Sequence, residues 1–164
     1  MSEKELYQPM VSWFQKYLED KYKNSDGWFV RVIDTSYIKF SDVASYYEIN
    51  LPEANGIQVK IDIVGFAKKE NKVKLFFIEA KTGSLDIRDL GQLWVYCKLF
   101  KPDEAYLMTD GDFGQLNNVL IVSGRYDLLE YGNDEQSRKM NIAIWDKSKN
   151  APDFLTMIPA KTIG

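Results

Sequence analysis

Apolar residues recur at helical spacing over residues 2–22, where Leu6, Met10, Trp13, Phe14, Tyr17 and Leu18 make one stripe. This spacing predicts an N-terminal helix. Ser2 followed by Glu5 has the form of a capping box. Pro9 cannot donate to the carbonyl of Glu5, so irregular first turns, or a start nearer Tyr7, are expected. Asn24-Ser25-Asp26-Gly27 then supplies turn chemistry.

The period changes beyond that turn. Residues 28–33 are β-branched and aromatic and predict a strand, with weaker strand candidates at 37–40 and 46–51. Residues 57–66 alternate, placing Ile57, Val59, Ile61 and Ile63 on one face. A polar connection at 67–71 and a second strand at 73–80 complete a predicted hairpin. A helix is expected over 86–100, with Ser84 or Asp86 at its start and Pro102 just past its end. Residues 105–108 and 141–145 read as strands. The stretch 113–129 mixes a short helix with loop or strand, and the tail from 150 to 164 reads as irregular with an edge strand. A helix, then strands, then a helix between strands predicts an α/β fold, a central mixed β-sheet flanked by helices.

Composition fits one domain over residues 1–164: 45% of residues are hydrophobic and 27% charged. No apolar run is long enough to span a bilayer, so no membrane partner is expected. No basic-then-apolar leader is present, and Cys97 is the single cysteine, so a reducing, cytoplasmic setting is expected. With no histidine, Ser-His-Asp triads, Cys-His pairs and histidine metal sites are excluded. Catalysis would rest on carboxylates, Lys, Tyr, Ser or Thr, and a metal would be a hard, oxygen-bound cation.

The net charge of −3 is unevenly spread. Residues 57–101 hold nine basic residues, among them Lys60, Lys68, Lys69 and Arg88, against five acidic ones. Lys68, Lys69 and Lys72 either solvate a hairpin tip or face phosphates.

Three residues stand out for chemistry. Asp62 interrupts an apolar strand between Ile61 and Ile63, and a carboxylate beside a core needs a partner. It either lies exposed, paired with Lys60 or Lys74, or does work. Glu79 and Lys81 share one face where an apolar strand runs into a loop. They form either a local ion pair or a site. A hairpin would bring Asp62 and Glu79 to one point. Two carboxylates, waters and the backbone carbonyl of Ala80 suit octahedral Mg²⁺, with Lys81 orienting or deprotonating an attacking water. Gln92 and Tyr96, at i and i+4 on the following helix, could contact a phosphate or a base, or simply line the surface.

Asp62, then Glu79-Ala80-Lys81, then Gln92-Leu93-Trp94-Val95-Tyr96 resembles the PD-(D/E)xK nuclease superfamily. The resemblance covers residues 57–108 and the first helix. It implies a restriction-endonuclease-like αβββαβ core and a metal-dependent deoxyribonuclease that leaves 5′-phosphates, with Mg²⁺ as cofactor and Mn²⁺ able to substitute. By it, Asp62 and Glu79 bind the metal, Lys81 is the catalytic lysine, and Gln92 and Tyr96 match the QxxxY element of the RecB-like branch. A helix glutamate helps hold the metal, with Glu5 the first choice and Glu3 the second. DNA is the implied partner and a homodimer the implied assembly. Ile61 stands where family members commonly carry proline. Two other readings are a non-catalytic nucleic-acid-binding or assembly module on the same fold, and a protein that docks a partner through aromatics such as Trp28 or Tyr131.

Overall fold

In a computed structural model, which describes residues 2–133, 135 and 137–161, the N-terminal stripe forms helix α1 (Glu3–Lys21). It buries Leu6, Tyr7, Met10, Phe14 and Leu18, while Trp13 and Tyr17 flank this seam half-buried. Ser2 is the N-cap, but its side chain makes no capping bond; the Glu5 N–H donates to the Ser2 carbonyl at 3.1 Å. The expected capping box is therefore absent, and the helix runs through Pro9 from Glu3.

Six strands lie in one mixed sheet in chain order: β1 (Phe29–Asp34), β2 (Ile63–Lys69), β3 (Lys72–Lys81), β4 (Glu104–Thr109), β5 (Asn141–Asp146) and β6 (Ala151–Pro152). β1, β2 and β3 form an antiparallel meander. β3, β4 and β5 are parallel, with β6 antiparallel on the far edge. A parallel step needs a crossover, and helix α3 (Ile87–Phe100) supplies the one from β3 to β4. Asp86 caps α3 in a capping box with Asp89 (3.0 and 2.9 Å).

The sheet sits between two helical layers. Ile63, Ala67, Phe76, Ile78, Tyr106 and Met108 meet α1. Val64, Phe77, Leu107 and Ile142 meet Leu90, Leu93, Cys97 and Phe100 of α3. Each fully buried Phe or Leu contributes about 1.5–3 kcal/mol to this arrangement. Gly65 permits close packing: a Cβ there would lie 3.1 Å from Leu18. On the free edge of β1, the Val32 N–H donates to Gln15 Oε1 at 2.7 Å, and Gln15 Nε2 donates to the Val30 carbonyl at 3.1 Å. That amide occupies the groups another strand would use.

Four sequence expectations change. The strand expected from residue 57 starts at Ile63, because its ladder with β1 ends at the Asp34–Ile63 pair. Residues 57–62 are held instead by loop bonds, Phe40 N–H to the Val59 carbonyl (2.7 Å) and Thr35 N–H to the Asp62 carbonyl (2.9 Å). The hairpin turn is two residues, Glu70 and Asn71, with Glu70 at φ 56°, so Lys68 and Lys69 belong to β2. Residues 37–40 and 46–51 form no strand. Helix α2 (Phe40–Tyr46) forms between them because Phe40, Val43 and Ala44 share a buried helical face. Residues 113–129 hold a wide helical turn (Asn117–Val122) and a tight one (Tyr126–Leu129). Among the described residues, no helix is long and apolar enough to cross a membrane.

Candidate active site

A two-residue turn fixes what meets at the other end of the β2–β3 hairpin. The last paired residues are Ile63 and Ile78, so Asp62, one residue past the ladder, lies beside Glu79. The two are interlocked. The Asp62 N–H donates to Glu79 Oε1 at 3.1 Å, and the Ala80 N–H donates to Asp62 Oδ2 at 2.9 Å. A third donor comes from α1, where the Tyr7 hydroxyl reaches Asp62 Oδ1 at 3.2 Å. Thr35 fixes the backbone alongside, its hydroxyl donating to the Ile61 carbonyl.

Glu79 is 2% exposed. Burial, and next the Asp62 carboxylate, push its carboxyl well above the ordinary range. Burial and then Asp62 likewise raise the Tyr7 phenol, which therefore acts as a neutral donor. The nearby Cys97 is a buried free thiol, raised by burial and then by Glu79.

Lys81 is partly exposed at the end of β3, on the same face as Glu79. Its ammonium lies 3.9 Å from Glu3, so the simple Glu79–Lys81 pair is not what forms. Glu3 and Tyr7 are one turn apart on α1, so one helix end addresses both Lys81 and Asp62. The loop after Lys81 is clamped. The Gly83 N–H donates to Asp110 Oδ1 at 3.1 Å, and the Gly83 carbonyl accepts from the Thr109 hydroxyl. A Cβ on Gly111 would lie 2.4 Å from the Gly83 backbone, so only glycine fits there.

The expected site residues divide. Asp62, Glu79 and Lys81 are brought together. Ala80 takes part through its N–H. Glu5 is exposed, and the α1 acid beside Lys81 is Glu3. Gln92 and Tyr96 bond each other, Nε2 to hydroxyl at 3.1 Å. Lys60 and Arg88 are exposed, Lys60 two residues before Asp62 and Arg88 in the first turn of α3. Lys68 and Lys69 are not part of this site: six strand residues put Lys68 roughly 20 Å from Asp62, at the other end of the hairpin. There Lys68 donates to the Tyr47 carbonyl (2.9 Å) and Lys69 lies over the Trp28 ring. Lys74 pairs with Asp103, leaving no role as the partner of Asp62. Of the aromatics expected on a docking surface, Tyr131 is buried with its hydroxyl on the Pro102 carbonyl, and Trp28 is half-buried against Tyr22.

Sequence reasoning missed Tyr7 and Thr35. Tyr7 had a signal, since it lies one helical turn from Glu3 beside buried Leu6. Among the described residues, no three His, Cys, Asp or Glu side chains form a ready ligand cluster. The chemistry on offer is a carboxylate pair with an ammonium group beside it. No protein-family model, curated protein or solved structure matches this chain.

Proposed function

We propose that the Asp62–Glu79–Lys81 group is the active site of a metal-dependent deoxyribonuclease on a restriction-endonuclease-like αβββαβ core. The observation that carries this reading is the interlocked carboxylate pair at the hairpin mouth, buried Glu79 against half-buried Asp62. Burial first, and then repulsion from the Asp62 carboxylate, raise the Glu79 carboxyl. The donors are hard oxygens, which suits Mg²⁺ or Mn²⁺ and relieves that repulsion. Three fixed hydrogen bonds hold the two carboxylates in place before any ligand arrives.

When bound, such a cation stabilises developing charge on a phosphodiester and makes coordinated water more acidic. The chain's own residues do the rest. Asp62 and Glu79 supply the anionic donors. Lys81, partly exposed on the same face, orients the attacking water or takes its proton and offsets charge on the phosphate. Glu3 keeps the Lys81 ammonium near the site until a phosphate competes for it. Lys60 and Arg88 are exposed and free to meet a DNA backbone. Gln92 and Tyr96 offer a polar pair on α3 for a phosphate or base. Cutting both strands of a duplex would need two such sites, so a homodimer in a reducing compartment belongs to the same proposal.

Nicking of supercoiled plasmid tests it. With Mn²⁺ the wild type nicks, and Asp62→Ala and Lys81→Ala lose activity by about 10²–10³-fold, the scale expected when charge stabilisation at a reacting centre is removed. Equal nicking by wild type and both variants sinks the proposal.

A further inference from the structure

We propose that Tyr7 is a positioning residue for Asp62: its hydroxyl sets the carboxylate in the orientation that binds a divalent cation. This rests on the metal-site reading above and extends it to a residue on α1.

Asp62 lies one residue before β2, where the ladder has already ended. Its side chain therefore lacks the cross-strand packing that fixes a strand residue. Two donors from separate elements replace it. The Ala80 N–H of β3 takes Oδ2, and the Tyr7 hydroxyl of α1 takes Oδ1. Together they fix the plane of the carboxylate. A carboxylate offers about four lone-pair positions, so two donors leave room for a cation on the same oxygens.

Tyr7 is 8% exposed, and its ring belongs to the apolar layer under α1 with Leu6, Met10 and Ile63. Its polar atom emerges from that layer at Asp62. The choice of donor matters. A lysine or arginine there would neutralise Asp62 and repel a cation, whereas a neutral hydroxyl orients the carboxylate and leaves its charge available. Donors of this kind behind a ligand typically set 10–100-fold in metal affinity.

The test is Mn²⁺ binding to the full chain without DNA, followed by calorimetry and by the Mn²⁺ electron paramagnetic resonance signal. Tyr7→Phe keeps the ring and removes the donor. It should weaken Mn²⁺ binding by about 10–100-fold, with the melting temperature of the metal-free protein within a few degrees of wild type. Tyr7→Met, a flexible apolar replacement, should show the same loss if Phe perturbs the fold. Tyr17→Phe removes a hydroxyl from the same helix that bonds Glu104 instead, and should leave Mn²⁺ affinity unchanged. Unchanged affinity in Tyr7→Phe, with affinity lost in Asp62→Ala, overturns the role of Tyr7 alone. Unchanged affinity in Asp62→Ala overturns the metal site, and the role of Tyr7 with it.

Discussion

Glu79, near the end of β3, and Glu104, at the start of β4, are carboxylates withdrawn from water on neighbouring strands, three register positions apart, and their surroundings treat them in opposite ways. Glu104 is surrounded by partners. Lys21 reaches it at 2.8 Å, Lys161 bonds it, and the hydroxyls of Tyr17 and Tyr106 donate at 3.2 and 2.6 Å. Burial raises its carboxyl, but the Lys161 charge and the bonds from Lys161, Lys21 and Tyr106 outweigh burial and hold it at about 2. Glu79 accepts from one backbone N–H and faces a second acid. Its nearest lysine, Lys81, is shared with Glu3. The first arrangement tethers α1 and the C-terminal segment to β4 and is complete in itself. The second leaves a charge imbalance inside a well-satisfied protein, the feature on which the metal-site proposal rests.

Removing each charge should therefore change stability with opposite sign. Glu104→Gln forfeits the stabilisation implied by a carboxyl held near 2 against an ordinary 4.5, about 3 kcal/mol at neutral pH. For a chain of this size that lowers the melting temperature by roughly 6–12 °C, readable by calorimetry. A shift below about 2 °C would show that the cluster stabilises little.

The second effect is smaller and upward. Glu79→Gln keeps an acceptor for the Asp62 N–H and removes the repulsion. Without metal it should melt higher than the wild type, by less than Glu104→Gln loses. On the metal-site proposal, Mn²⁺ should raise the wild-type melting temperature by mass action, and the same variant should lose that rise. A metal-free variant less stable than wild type would reverse this account of Glu79.

Legibility in the sequence follows how local each feature is. Asp62 and Glu79 lie eight residues either side of the Glu70–Asn71 turn, so alternation and hairpin length were enough to pair them. Lys81 followed from strand period alone. The same geometry puts Lys68 and Lys69 at the far, tip end of the hairpin, which favours their solvating role over phosphate contact at this site; reading 67–71 as the connection hid only that the turn is two residues and that both lysines belong to β2. Helix α2 was hidden because Tyr37, Phe40, Tyr46 and Tyr47 carry strand propensity, and packing of Phe40 against Phe77 and Phe100 overrides it. The Tyr7–Asp62 bond spans 55 residues, and the Glu104 cluster draws Lys21 and Lys161 from distant parts of the chain. No periodicity encodes such pairs, because only tertiary packing brings them together.

The pH dependence of stability separates the two glutamates in a single protein, with an effect spread thinly over several pH units. Glu104 has a depressed carboxyl, so its contribution is complete above the ordinary 4.5 and is lost as pH falls toward about 2. Glu79 has a raised carboxyl, so the folded state holds a proton that the unfolded chain releases. Its contribution is complete below the ordinary value and is lost as pH rises through the raised one. Metal-free wild type should thus weaken on both flanks. Glu104→Gln should flatten the acid flank alone, and Glu79→Gln the other alone. On the metal-site proposal, Mn²⁺ needs both carboxylates ionised, so its stabilisation of the wild type should grow as pH rises across the Glu79 flank. Melting curves with and without Mn²⁺ that run parallel from acid to neutral pH would mean that these carboxylates do not hold the cation, and a neutral flank as steep in Glu79→Gln as in the wild type would mean that Glu79 titrates as an ordinary acid. The contrast with Glu104 would then be one of position rather than of charge balance.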